Sequence, residues 1–132
     1  MSYLIDTDII IYSLKGNELV NHNFQKNKYE PIYISAITVG ELIYGAEKSK
    51  NREKNLAKVA HVKKCFKTLE INSEVMETFG RLKANQEKTG EVVADMDLQI
   101  ASVALYYNLI LVTNNVKHFS KIKELKIENW NS

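Results

Sequence analysis

The sequence predicts an α/β fold, a single domain over residues 1–132 in which a parallel sheet of about five strands carries helices on both faces. Three observations predict it. Short apolar runs of β type alternate along the chain with longer stretches of helical periodicity. The run Leu109-Ile110-Leu111-Val112 is apolar on both faces, as a strand covered above and below by helices must be. Finally, 132 residues that are 45% hydrophobic and 26% charged, with five glycines and one proline, suffice for one packed core and are too few for two.

Strands are predicted at Tyr3–Ile5, Ile32–Ile34, Leu69–Ile71 and Leu109–Val112, with a short last one at Lys126–Glu128, and the intervals between them read as helical. Short polar side chains that can accept hydrogen bonds from free first-turn amides mark helix starts. Asp8 is placed to cap a helix from Ile9, and further starts are expected at Thr38, Ser73 and Asp95. Gly90 is suited to close the helix before it, because a left-handed residue ends a helix at little cost when it has no side chain. No internal repeat, low-complexity segment or linker interrupts this order.

Cys65, the only cysteine, cannot form an internal disulfide and sits in a helical pattern, where it is expected to be a small core residue. No Cys/His cluster has zinc spacing. The start, MSYLIDTD, reaches an acid by position six, and no apolar run approaches the ~20 residues of a membrane span. The expectation is a cytoplasmic protein.

The formal net charge is only +2, the remainder of 18 basic and 16 acidic residues, but the charges are segregated. Lys48, Lys50, Arg52, Lys54, Lys58, Lys63, Lys64 and Lys67 face Glu53 alone, and Lys117, Lys121, Lys123 and Lys126 face Glu124 alone. Between these basic stretches, residues 68–97 hold seven acids and three bases. Such a pattern fits either solvated helix faces or a rim that tracks phosphates around an acidic centre, and charge does not decide between them.

Open parallel sheets place ligands beyond the carboxyl ends of their strands, where strand order reverses. The first predicted strand runs into Asp6-Thr7-Asp8 and the fourth into Thr113-Asn114-Asn115. Asp6 should point into the crevice, with a turn cap as the alternative. Glu41 lies one turn into a helix among Val39, Leu42 and Ile43, and Asp97 precedes the small-residue helix Leu98–Ala104, where it can cap or coordinate. These three acids can form an oxygen cage for a hard divalent cation, Mg2+ or Mn2+, which would offset their mutual repulsion. Such an ion activates water and neutralises charge on a phosphate, the chemistry of phosphodiester hydrolysis.

Four segments, in this order, resemble the PIN-domain toxins of the VapC type: Tyr3-Leu-Ile-Asp6-Thr-Asp-Ile-Ile-Ile-Tyr12, Ile34-Ser-Ala-Ile-Thr-Val-Gly-Glu41-Leu-Ile-Tyr-Gly-Ala-Glu-Lys-Ser49, Asp97-Leu-Gln-Ile-Ala-Ser-Val-Ala104, and Leu111-Val-Thr113-Asn-Asn115-Val-Lys-His-Phe119 with a final Leu125-Lys-Ile-Glu-Asn-Trp130. The resemblance implies an α/β/α sandwich and a Mg2+- or Mn2+-dependent endoribonuclease, with Asp6, Glu41 and Asp97 as catalytic, metal-holding acids. It further implies structured RNA, most often tRNA, as substrate, a homodimer, and a small VapB-type antitoxin that fills the crevice in a toxin–antitoxin hetero-oligomer. Two departures stand out. Many relatives carry a fourth acid after the Thr of the fourth strand, where this chain has Asn115, an oxygen without charge. Relatives also commonly read Pro-x-Gly-Pro-x-Asp before the third acid, whereas this chain reads Val-Val-Ala-Asp95-Met-Asp97. Asp95 is read as a helix cap, with an extra metal-facing acid as the alternative. Thr113 is a supporting residue, and Lys48, Lys50, Arg52 and Lys54 are candidate contacts to the RNA backbone. His118 could help as an acid or a phosphate contact, but a single histidine on a surface turn is usually neither.

Two rivals draw on the same residues. A haloacid-dehalogenase-like phosphatase would use Asp6 as nucleophile and Ser35 as its second motif, but needs acids at the end of a later strand, where Thr113-Asn114-Asn115 supplies none. A non-enzymatic RNA binder would use the basic stretches and leave the acids as caps.

Overall fold

The computed structural model describes residues 1–132 throughout. Five strands, β1 (Tyr3–Ile5), β2 (Ile32–Ser35), β3 (Lys67–Leu69), β4 (Ile110–Val112) and β5 (Ile127–Glu128), form one sheet in the order β3-β2-β1-β4-β5. Every neighbouring pair is parallel. Seven helices connect and cover them: α1 (Thr7–Leu14), α2 (Glu18–Lys26), α3 (Ala36–Glu47), α4 (Arg52–Cys65), α5 (Ser73–Thr89), α6 (Asp95–Tyr106) and α7 (Val116–Phe119). No helix is long and apolar enough to cross a membrane.

Alternation along the strands divides the core in two, since successive side chains point to opposite faces. Leu4 and Leu111 enter the layer beneath α5 and α6, with Leu82, Leu98, Ile100 and Phe119. Tyr3, Ile5 and Val112 enter the other, with Ile9, Ile10, Ile34, Val62 and Trp130. Helices therefore lie on both faces, as the doubly apolar fourth strand predicts. Trp130 closes the chain by packing edge-on against Tyr3 and Phe24, with ring centroids 5.2 and 5.0 Å away.

Several boundaries differ from the sequence reading. α1 begins at Thr7 and not Ile9, because Asp6, not Asp8, is its cap and accepts the Thr7 N–H. α3 begins at Ala36, two residues before Thr38, because the Ser35 hydroxyl already accepts the Thr38 N–H. α5 does begin at Ser73, with Asn72 as the capping side chain. Asp95 opens α6 without capping it, and the N-cap position is held by Ala94. β3 lies two residues earlier than Leu69–Ile71, since its register sets Ser35 beside Leu69 and leaves Ile71 beyond the sheet. Gly90 ends α5 with φ 75°, as its place predicts. Cys65 is exposed and not a core residue, because the last turn of α4 turns it to solvent at the sheet's edge.

The chain steps from β1 to β2 to β3 in one direction and then crosses to β4 and β5 on the other side. Strand order thus reverses between β1 and β4, and a ligand crevice is expected beyond their carboxyl ends.

Candidate active site

The β1–β4 register pairs Ile5 with Val112, so the next residues, Asp6 and Thr113, stand side by side at the crevice. The ladder runs one bond further, from Asp6 N–H to Val112 O at 2.9 Å. Thr113 Oγ1 donates to Asp6 Oδ2 at 2.8 Å, and Thr7 N–H donates to Asp6 Oδ1 at 2.8 Å. Asp6 is 6% exposed. Burial, with the Asp8 carboxylate as neighbour, raises its pKa to about 7 although both hydrogen bonds oppose the rise. One oxygen of Asp6 thus caps α1, as the turn-cap alternative expects, and the other is held by Thr113 from the neighbouring strand end.

Asp97 lies in the first turn of α6, half-buried, close enough to Asp6 for their charges to interact. Burial raises its pKa and His118 opposes the rise. His118 Nε2 lies 3.2 Å from Asp97 Oδ2, an ion pair when the ring is protonated, though the approach is not aligned for a hydrogen bond. Glu41 reaches the same neighbourhood through Thr7, whose hydroxyl donates to Glu41 Oε1 at 2.5 Å and lies 3.0 Å from Thr38 Oγ1. Beyond Glu41 opens a cavity of about 250 Å³, walled by Ile11, Leu42 and Val59 and carrying Lys15 and Lys58.

The predicted fourth position carries no charge. Asn115 is exposed, and it is its backbone N–H that bonds Thr113 Oγ1, at 3.0 Å. Asp95 is not the cap of α6; it is exposed and pairs with Lys83 at 3.1 Å. Asp8, which the sequence suggests only as a cap, lies instead in the cluster. Its Oδ2 accepts the Asn114 N–H at 3.1 Å, its Oδ1 is buried with no hydrogen-bond partner, and burial and Asp97 both raise its pKa. Spacing held a signal for it, because two acids flanking one threonine at a strand-to-helix turn share an end of the sheet. Thr7, which links α1 to Glu41, is a second site residue absent from the sequence reading.

As the side chains stand, no three of them form a ready metal cage. The donors nevertheless fit a hard divalent cation in kind: they are all carboxylate oxygens, Asp8 and Asp97 both disfavour charge on Asp6, and Asp8 Oδ1 is buried with no hydrogen-bond partner. Asp6, Glu41 and Asp97 are the residues that could hold it, and the chemistry such a set can serve is metal-assisted hydrolysis.

Lys48, Lys50, Arg52 and Lys54 are exposed around the α3–α4 junction. Lys48 Nζ lies 4.7 Å from the Tyr44 ring centre, and Arg52 is paired with Glu47 at 2.5 Å. The phosphatase reading finds no support in the geometry. Ser35 is wholly buried as the cap of α3, and both oxygens of Asp6, the would-be nucleophile, are engaged in hydrogen bonds.

A family model for the PIN domain matches residues 3–125. The chain is 36% identical over 131 residues to Ribonuclease VapC2 of Haemophilus influenzae, covering 98% of both. It is 33% identical over 131 residues to the tRNA(fMet)-specific endonuclease VapC of Shigella flexneri, again covering 98% of both. Among solved structures, VapBC2 of Rickettsia felis bound to a DNA fragment from its promoter superposes with a TM-score of 0.92 at 34% identity, over 98% of this chain and 99% of that one.

Proposed function

This chain belongs to the PIN-domain family and is of the VapC type, and from that premise we propose that it is a divalent-metal-dependent endoribonuclease, the toxin of a toxin–antitoxin pair. The observation that carries the reading is the juxtaposition of Asp6, Thr113 and Asp97 at the crevice where strand order reverses. Full-length relatives that are ribonucleases, one of them specific for a transfer RNA, support RNA as substrate and tRNA as its class.

In this reading Asp6, Glu41 and Asp97 would hold one or more Mg2+ or Mn2+ ions. The metal supplies positive charge opposite a phosphodiester and makes water a better nucleophile. The chain's own residues prepare the place. Thr113 and the Thr7 amide fix Asp6 in one orientation, so the carboxylate is aimed before substrate arrives. The Thr7 hydroxyl steadies Glu41 from the neighbouring helix. His118 stands 3.2 Å from Asp97 and, when protonated, offsets its charge. Lys48, Lys50, Lys54 and, more weakly because of Glu47, Arg52 attract the RNA backbone from a distance and position it without reading sequence.

A VapB-type antitoxin is the proposed partner, as in the solved VapBC assemblies, together with a homodimer of this chain and residence in the cytoplasm. The test is direct. Purified protein incubated with tRNA should cut it when Mn2+ is present, stop with EDTA, and spare tRNA when its antitoxin is added. Tenfold or slower cleavage of structured RNA than of an unstructured strand would move the substrate class away from tRNA.

A further inference from the structure

We propose that Asp8 supplies the fourth acidic group of the metal centre, in place of the charge that Asn115 lacks; the proposal rests on the metal-dependent reading above. Three residues were open to that role. Asn115 is neutral, exposed and engaged through its backbone only. Asp95 is exposed and neutralised by Lys83. Asp8 alone is tied to the crevice: it lies one residue beyond Thr7 in the first turn of α1, and its Oδ2 accepts the Asn114 N–H at the end of β4. That bond joins the first turn of α1 to the turn after β4, and Oδ1 is left buried with no hydrogen-bond partner in a residue whose charge is felt by Asp6 and feels that of Asp97.

A buried carboxylate oxygen with no hydrogen-bond partner, in a residue close to other carboxylates, is unfavourable on its own. A cation shared with Asp6 and Asp97 relieves that cost, and carboxylate oxygens are the ligands such an ion prefers. The remaining oxygen is already oriented by a backbone amide, as outer hydrogen bonds commonly orient metal ligands. The charge has thus moved from the β4 end to the α1 end of the same crevice, two residues from Asp6.

The test is calorimetric titration of the full-length protein with Mn2+ alone. Asp8→Asn keeps an oxygen that can accept the Asn114 N–H but removes the charge, so a merely structural role predicts unchanged metal affinity. Our proposal predicts affinity weakened about 10- to 100-fold, with Asn115→Ala within about twofold of wild type. If Asp8→Asn binds Mn2+ as wild type does while Asp6→Asn has lost binding, Asp8 is not part of the centre and the metal-dependent reading stands without it. If wild type itself binds no Mn2+, that reading and the proposal fall together. Should circular dichroism show Asp8→Asn unfolded, Asp8→Ser replaces it with the same two opposed outcomes.

Discussion

Thr113 and Asp6, separated by 107 residues in sequence, share a buried hydrogen bond of 2.8 Å across the point where the sheet reverses its strand order. The threonine hydroxyl also accepts the Asn115 N–H, so one side chain orients the acid and shapes the loop after β4.

Thr113→Val removes that donor while keeping the shape, and leaves Asp6 Oδ2 buried without a partner. It should cost about 1–3 kcal/mol of stability and lower kcat/KM by about 10- to 100-fold, the scale of losing a residue that orients a metal ligand. Thr113→Ser should retain most of both. Thermal melts and single-substrate RNA kinetics on the two variants check this.

Asp6→Asn, Glu41→Gln and Asp97→Asn should each fold and each lose cleavage by more than about 100-fold, because every one removes charge worth several kcal/mol to the centre. Toxicity on induction should disappear with it. A folded Asp97→Asn that cuts RNA like wild type in Mn2+ would take Asp97 out of the active site.

Burial and the nearby Asp8 hold the Asp6 pKa at about 7, against an ordinary 3.8. A folded value above the unfolded one means that the native state binds more protons between about pH 4 and 7, so metal-free stability falls as pH rises through that window and stays lower above it. Asp8 and Asp97 are shifted in the same direction and steepen the fall. Asp6→Asn should therefore melt near wild type at about pH 4 and above it at about pH 8, since the amide has no charge to bury. Melts in EDTA at both pH values decide it. Mn2+ affinity should climb through the same window, because the ion displaces the proton.

Reversing Lys48, Lys50 and Lys54 together to Glu should raise KM for RNA more than it lowers kcat, and flatten the decline of binding with salt. Arg52→Glu should do less than any of these lysines, since Arg52 is already paired with Glu47. RNA titrations at low and moderate salt read the difference, and unchanged binding by the triple variant would make this face an ordinary solvated one.

The strands were legible because the sheet is covered on both sides. Leu4 and Leu111 go one way and Tyr3, Ile5 and Val112 the other, and runs apolar at every position have no solvent face to blur them. Helix starts were less legible. At both α1 and α3 the chain enters the helix directly from a strand, and the last strand residue or the one after it, Ser35 or Asp6, does the capping that Thr38 or Asp8 was expected to do. Cys65 was misread for a related reason: α4 lies against the sheet by Val59 and Val62, and the cysteine on its final turn falls past the contact.

By itself the sequence determined the α/β alternation, the order of the four family segments, and the placement of Asp6 and Thr113 at the ends of strands, because hydrophobic periodicity and strand termination are local properties of the chain. Tertiary structure alone decided which acids meet. Asp95 and Asp97 are two residues apart, yet the turn of α6 sends one to Lys83 and the other to His118 and Asp6. Asp8 and Asn114 are 106 residues apart, yet the β1–β4 register brings them into hydrogen-bond contact. Helix rotation and strand register are set by how whole layers pack, and no local pattern around either residue contains them.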